Sequence, residues 1–383
     1  MKIAMLSTGM EMGGAEQQLL ALSEGLRARG HEVSITSLLP LGCLGQVAQR
    51  RGIPTLSLEM HPGIPDPRAL WRFTRWLHRW QPQILHSHLV HANLFARLSR
   101  LLYRCPVTIS TVHTVAVGGK WQILGYRLTD PLCNRTTLVC HTGAERYRST
   151  GAVPAGKLQV VPNGIDTDQF SPDPSARNRI RRELHLGERF TWLAVGRFEP
   201  PKDYPTMLQA FAGVLQTRQD SLLLIAGQGS LADATITLAG QLGIEQHIRF
   251  LGVRDDIPNL MNAADGYVMS SAWEGLPMVL LEAAAIELPI VATDVGDVRD
   301  MLLDGKSGLL VAKQDPAALG TAMLQVMALP ASIRRQMGQE GRAFTQARYQ
   351  LAHILDRWEE LYLELLQRKG VQHENHLLHH SSG

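Results

Sequence analysis

The sequence predicts an α/β protein built from two doubly wound parallel-sheet domains that face each other across a cleft. Three observations carry that prediction. Short apolar strands, glycine loops and amphipathic helices recur in the same order along the chain. The recurrence stops once, at Val160–Pro174, and then starts again. The length of 383 residues suits two domains at roughly 100–200 residues each. Parallel strands need a long crossover between them, so strand–helix alternation points to parallel sheets.

The elements follow in order. Lys2–Ser7 is an apolar strand, Met12–Gly14 a glycine turn, and Ala15–Arg29 has helical apolar spacing closed by Gly30. Glu32–Leu38, Gln83–His86 and Val107–Thr111 read as further strands. Pro162, Asn163–Gly164, Pro172 and Pro174 then give turn chemistry in place of periodicity, which marks a linker. Thr191–Val195 restarts the pattern and ends in Gly196; Leu222–Ile225 ends in Gly227 and Gly229. Ile248–Leu251, Gly266–Met269 and Pro289–Ala292 complete the second set, with helices to about Arg368. The expected domains are residues 1–165 and 166–350, followed by a helix over 351–370. The segment 371–383 holds four of the 15 histidines and reads as a disordered tail.

Composition narrows the class. Hydrophobic residues make up 45% and charged residues 19%, which excludes wholesale disorder. Four cysteines without a CxxC pair argue against a disulfide framework or a zinc site. No run approaches the roughly 18 apolar residues of a membrane span. The first apolar run is too short for a signal peptide, so a cytoplasmic protein is expected. The net charge of +3 conceals an asymmetry: residues 1–165 carry +10 and the remainder −7. The basic half suits an anionic membrane, a phosphorylated acceptor or nucleic acid. No recognition motif supports nucleic acid, and none is expected as a partner. Residues 67–80, PRALWRFTRWLHRW, join Trp71, Trp76 and Trp80 to four arginines. Such a helix suits an anionic bilayer surface or packs its tryptophans inward.

In open parallel sheets, ligands bind beyond the carboxyl ends of the strands. The candidate residues lie there. Gly196-Arg197-Phe198-Glu199-Pro200-Pro201-Lys202 follows a strand and precedes a helix. Two cations five residues apart on one loop suit a diphosphate better than a single carboxylate. Ser271–Glu282 follows another strand. Pro277 there suits the first turn of a helix, leaving the amides of Gly275, Leu276 and Met278 free for anions or hydroxyls. Glu274 precedes that helix start, and Glu282 lies about five residues into it, roughly 7–8 Å along the axis. Gly13-Gly14-Ala15-Glu16 opens the first helix and permits close approach of a phosphate. It lacks the GxGxxG dinucleotide spacing. His113 follows a strand, and His86 and His88 stand on or beside its neighbour. No third ligand supports metal there, and no metal is expected. Gly305-Lys306-Ser307 lacks the upstream glycine of a P-loop, and Asp166-Thr167-Asp168 reads as a turn.

Taken together, the ordered set resembles the GT-B retaining glycosyltransferases of glycosyltransferase family 4, over about residues 1–365. The set comprises Gly13-Gly14-Ala15-Glu16, Pro162-Asn163-Gly164-Ile165-Asp166, Gly196-Arg197…Lys202 and Glu274…Glu282. The resemblance implies two Rossmann-like domains, an acceptor-binding one first and a nucleotide-sugar-binding one second, with helix 351–370 crossing back to the first. Arg197 and Lys202 would grip the donor diphosphate, and Glu282 would hold the ribose hydroxyls. Glu274, Gly275, Leu276, Pro277 and Met278 would contact the sugar. Gly13 and Gly14 would meet the phosphates, His113 would lie beside the sugar, and Val253 would help frame the base. His113, Glu274, Arg197 and Lys202 are thus the expected catalytic set. The family often has a serine near Leu138-Val139-Cys140-His141-Thr142, read as a strand; this sequence departs from that pattern. The expected donor is a UDP-sugar, with no cofactor. The expected acceptor is a polyprenyl-diphosphate-linked glycan in bacterial surface polysaccharide synthesis, reached at the inner membrane face. A nucleotide-sugar epimerase or a non-catalytic nucleotide-sugar-binding subunit is the alternative.

Overall fold

Strand–helix repetition does produce two parallel sheets. The computed structural model describes residues 1–64, 66–115 and 118–370; the expected tail 371–383 lies outside them. The chain divides into two units. One comprises Met1–Val139, Ala144–Val161 and the chain from Ile354 onward. The other comprises Cys140–Gly143 and Pro162–His353.

The first unit contains β1 (Lys2–Ser7), α1 (Gly14–Ala28), β2 (Glu32–Ser37), α2 (Gly42–Arg50), β3 (Thr55–Ser57), α3 (Pro67–Trp80) and β4 (Ile84–His88). Next come α4 (Val90–Ser99), β5 (Val107–Val112), α5 (Lys120–Thr129), β6 (Arg135–Leu138), α6 (His141–Ser149, in this unit from Ala144) and β7 (Leu158–Val160). The seven strands lie in the order β3-β2-β1-β4-β5-β6-β7, all parallel. Every residue of β4 and β5 is buried, because helices cover both faces of such a sheet. The reading of Leu138–Thr142 as a strand needs correction. Pairing ends at Val112↔Leu138 and Leu138↔Val160, where both neighbours run out. The chain turns there and enters α6 at His141. Buried Val139 and Cys140 gave the segment its strand-like look.

In α3, Asp66 caps the helix by accepting the amide of Arg68 at 2.8 Å, and Pro67 takes the first position. The same Asp-Pro start opens two later helices, with Asp173 and Asp315 as caps. Phe73, Trp76 and Trp80 form a stacked ladder with centroids 5.9 and 5.0 Å apart, joined to the core around Leu85 and Ala92. Two of the three tryptophans therefore pack inward; Trp71 is exposed.

The second unit contains α7 (Pro174–Glu183), β8 (Phe190–Val195), α8 (Tyr204–Leu215), β9 (Ser221–Ala226), α9 (Ala232–Gln241), β10 (Ile248–Phe250), α10 (Ile257–Ala263) and β11 (Gly266–Met269). It continues with α11 (Met278–Ala285), β12 (Ile290–Thr293), α12 (Val298–Met301), β13 (Gly308–Val311), α13 (Pro316–Ala328) and α14 (Ala331–Tyr349). Helix α15 (Leu351–Gln367) belongs to the first unit from Ile354 onward. The second sheet runs β10-β9-β8-β11-β12-β13, again parallel. Its strand order reverses between β8 and β11. That is the topological switch point, where loops on either side diverge and leave a crevice. Gly266 starts β11 because Trp192 of β8, wholly buried, fills the space a Cβ would need, at 2.6 Å.

Candidate functional site

The loops after β8 and β11 flank that switch point and carry Arg197, Lys202 and Glu274. Glycines shape the first loop. A Cβ on Gly227 would lie 1.9 Å from the carbonyl oxygen of Gly196, and one on Gly229 would lie 2.5 Å from that of Phe198. The backbone after β8 thus passes directly over the backbone after β9. Backbone bonds from Phe198 to Gln228 and from Leu231 to Phe198, both 2.9 Å, fix the crossing. The Tyr204 hydroxyl donates to the Gly196 carbonyl at 2.9 Å, and Phe198 stacks on the Tyr204 ring.

Lys202 ends a short 3-10 turn, Pro200–Lys202, and Asp203 then adopts φ 45° to cap α8. The second loop clasps the first. The Ser270 hydroxyl lies 2.8 and 2.9 Å from the carbonyls of Lys202 and Asp203, and the Ala272 amide donates to Pro201 at 2.8 Å. This clasp brings the Lys202 ammonium within 2.6 Å of the Glu274 carboxylate, which also accepts from the Ser271 hydroxyl at 2.8 Å. Both charged side chains are largely shielded, so their attraction is less screened than that of a surface pair. Arg197, by contrast, is exposed and makes no ion pair among the described residues.

Pro277 is the residue before α11 and not, as expected, in its first turn: its ψ of 104° is extended and the helix starts at Met278. The consequence for the amides is the same. Those of Gly275, Leu276, Met278 and Val279 donate to no acceptor among the described residues, and helix starts favour negative charge. Glu282 is the fifth residue of α11. Burial pushes its carboxyl up to about 7, and its side chain has no hydrogen-bond partner among the described residues. Val253 follows β10 in an exposed loop whose Gly252 carbonyl accepts the Gly227 amide at 2.8 Å. The neighbouring Arg254 is committed to Asp256, at 2.7 Å through two nitrogens. Asp166 accepts the amides of Asp168 and Gln169, as a turn requires.

The remaining expected residues lie in the first unit. Gly13 precedes α1 and Gly14 begins it; the Gly13 carbonyl accepts from Gln17 at 2.9 Å. A Cβ on Gly13 would lie 2.3 Å from the Glu16 carboxylate. His113 lies just past β5 and belongs to a chain of imidazoles. His113 Nε2 is 2.9 Å from His88 Nδ1, and the His86 and His88 rings are 4.2 Å apart. His86 bonds the Tyr362 hydroxyl at 2.7 Å and Thr111 Oγ1 at 2.6 Å. Thr111 in turn meets Thr137 at 2.6 Å. The far nitrogens, His88 Nε2 and His113 Nδ1, have no partner among the described residues. Sequence reasoning considered His86 and His88 only for metal. The signal it passed over is that His86-Ser87-His88 makes three successive polar residues in a strand buried on both faces. No group of three or more His, Cys, Asp or Glu side chains is placed to hold a metal among the described residues.

Burial holds these imidazoles neutral. It lowers His86 to about 3 and His113 to about 4, and takes His88 well below its usual value. Between those values and about 6.5 the unfolded chain binds protons the folded chain cannot, so folding stability falls as pH falls through that window. We expect the unfolding free energy from urea melts at pH 7, 6 and 5 to fall, the slope approaching about 1.4 kcal/mol per pH unit for each such histidine once the pH is below about 6. His86→Asn should flatten the slope; an unchanged slope would refute the assignment.

Comparison with known proteins gives the class first. The chain is similar in structure to Anabaena HepE in complex with UDP, with a TM-score of 0.82 at 19% identity over 95% of this chain and 100% of that one. Sucrose-phosphate synthase from Thermosynechococcus elongatus gives 0.80 at 21% identity, over 96% and 99%. The fold is that of the GT-B glycosyltransferases. The family described as Glycosyl transferases group 1 matches residues 176–344, and Glycosyltransferase Family 4 matches residues 12–169. The GDP-mannose-dependent alpha-(1-6)-phosphatidylinositol monomannoside mannosyltransferase of Mycolicibacterium smegmatis is 32% identical over 370 residues, 90% of this chain and 91% of that protein. The UDP-Gal:alpha-D-GlcNAc-diphosphoundecaprenol alpha-1,3-galactosyltransferase of Escherichia coli is 24% identical over 334 residues, 83% and 84% of the two chains. The chain belongs to the group 1, family 4 glycosyltransferases.

Proposed function

We propose that this glycosyltransferase moves a sugar, with retention, from a UDP-sugar to a lipid-linked glycan acceptor in bacterial surface polysaccharide synthesis. It would work in the cytoplasm at the inner membrane face, without a metal ion. One observation carries the reading: the clasped loops at the switch point gather Lys202, Glu274, an unpaired Arg197 and four uncommitted amides. Breaking the bond from the anomeric carbon to the diphosphate sends the electron pair to the diphosphate oxygen. Arg197, Lys202 and the start of α11 supply preorganised positive charge for that oxygen. The acceptor hydroxyl bonds to the anomeric carbon from the same face, and its proton passes to the departing phosphate. Glu274 faces the positive charge that grows on the sugar. On the family resemblance, neutral His113 would offer the sugar a hydrogen bond, and Gly13 and Gly14 would leave backbone room for a phosphate. Glu282 accepts the ribose hydroxyls, and Val253 borders the base. The UDP reading is supported by the names of the E. coli relative and of the HepE complexes with UDP and UDP-glucose. A second reading, GDP-mannose as donor, is favoured by the 32%-identical mycobacterial relative.

Thermal shifts against UDP, GDP, ADP and CMP test the reading. We expect a selective shift with UDP, abolished in Arg197→Ala; saturation at 100 times Kd should add about 2.7 kcal/mol. A shift with GDP alone would establish the second reading, and no shift with any nucleotide would sink both. Because Glu282 ionises near neutrality, UDP should bind about tenfold more tightly at pH 8 than at pH 6, and Glu282→Gln should remove that part of the dependence.

A further inference from the structure

Helices α4 and α5 pack against each other on the first unit. A Cβ on Gly125 would lie 3.3 Å from Leu94, and buried Arg97 donates to the Tyr126 carbonyl at 3.2 Å and to Thr129 Oγ1 at 3.3 Å. Gly125 and Tyr126 thus supply the inner side of α5. The outer side carries Trp121, Leu124 and Leu128, spaced i, i+3, i+7, which places them on one stripe. Trp121 is 85% exposed and Leu128 70%. One turn beyond Leu94, Leu98 is exposed too, followed by Leu101 and Leu102 in the turn that ends α4. That turn abuts α3, since His78 Nε2 lies 3.2 Å from the Leu102 carbonyl. Six large apolar side chains on two packed elements are more than scattered exposure explains.

The charge around them is one-sided. From Pro67 to Thr129, 63 consecutive residues, there is no Asp or Glu, while nine Lys and Arg occur. Seven of the nine are exposed: Arg68, Arg72, Arg75, Arg79, Arg104, Lys120 and Arg127. A protein partner would normally be met with both signs of charge. A leucine and tryptophan stripe in a segment whose charged side chains are all cations, flanked by Asp66 and by an Asp130 already paired with Lys157 at 2.9 Å, matches the interface of an anionic bilayer, where the rings sit among headgroups and the cations meet lipid phosphates. Among the described residues no single helix is long and apolar enough to cross a membrane, so the stripe is a candidate for lying on one.

We propose that the α4–α5 stripe of Leu98, Leu101, Leu102, Trp121, Leu124 and Leu128 is the surface by which the first unit docks on anionic lipid, with the arginines of α3 adding charge and not insertion. The proposal deepens the lipid-linked acceptor reading by naming the face that meets the bilayer. Of the two readings the sequence left open for α3, it keeps the inward one for Trp76 and Trp80 and places the bilayer face on α4 and α5.

The test is sedimentation of the full chain with vesicles of phosphatidylcholine, with and without 30% phosphatidylglycerol. Binding is expected only with the anionic lipid and should weaken as salt is raised. The pair Trp121→Ser and Leu128→Ser should lower the partition coefficient tenfold or more, while Trp71→Ser changes it less than twofold. All three positions are exposed, and an unchanged thermal midpoint verifies folding. Quenching of tryptophan fluorescence by brominated lipid should disappear with Trp121. Three results would overturn the proposal: no binding to anionic vesicles, equal loss in Trp71→Ser, or a vesicle-free dimer broken by the Trp121 and Leu128 pair. The UDP thermal shift of the same variants reports separately on the donor site, so failure of the docking face and failure of the transferase reading are distinguishable.

Discussion

Glu274→Gln is expected to lower turnover on the order of 10²-fold while leaving UDP affinity within about threefold. The wild-type carboxylate accepts from Lys202 Nζ at 2.6 Å and Ser271 Oγ at 2.8 Å. Both reach the same oxygen, Oε1, so the amide oxygen of Gln can accept both bonds and the loop geometry should survive. What is lost is the negative charge opposite the anomeric carbon, which matters in the transition state and not in nucleotide binding. Freed of its carboxylate, Lys202 also meets the diphosphate without a competitor, which works against any loss of UDP affinity. Lys202→Ala should behave differently. It leaves Glu274 shielded without its cation and removes a diphosphate contact, so both UDP binding and turnover should fall. Calorimetric titration with UDP beside single-turnover kinetics separates the two. Equal loss of binding and turnover in Glu274→Gln would refute the division of roles. In the double variant the effects should be non-additive, since the two groups touch.

The parallel sheets and the loops that carry chemistry were legible because their signals are local. Apolar strands ending in glycine, and polar residues directly after them, need no partner to be recognised. Strand order was not legible, yet it decides the site. The reversal between β8 and β11 is what makes the loops of Arg197 and Glu274 neighbours. Nothing near either residue in the chain states that. The Lys202–Glu274 pair joins residues 72 apart, and its supports, Ser270 and Ser271, look like ordinary loop serines. The histidine chain was missed for a related reason. His86 meets Tyr362 across 276 residues, and only the fold turns two isolated histidines and a C-terminal tyrosine into one network. For the tryptophans of α3 the sequence allowed both an exposed and an inward face; only the packing of Phe73, Trp76 and Trp80 against the core decides between them, and Trp71 alone stays exposed.

Gly227→Ala should be among the most damaging single-methyl changes in the second unit. Gly227 has φ 151°, outside the range L residues favour. Its added carbon would lie 1.9 Å from the Gly196 carbonyl oxygen and 2.8 Å from the carbonyl carbon. Neither can yield easily. The Gly196 carbonyl is held by Tyr204, and the Gly196 amide by the Ala226 carbonyl at 3.0 Å. The Gly227 amide is itself tied to Gly252 at 2.8 Å. The backbone must therefore separate at the crossing, at a cost of about 2–4 kcal/mol, or a midpoint lower by roughly 5–15 °C. The separation moves the Gly196–Lys202 loop, so the UDP-induced shift should shrink even at temperatures where the variant is folded. Gly240→Ala is the control. That glycine sits near the end of α9 with no atom within 4 Å of the added carbon. Alanine there should raise stability by about 0.5–1 kcal/mol and leave UDP binding unchanged. If Gly227→Ala melts like the wild type and binds UDP as well, the crossing of the two backbones is not what positions Arg197 and Lys202. If stability falls but UDP affinity is untouched, the crossing supports the fold alone.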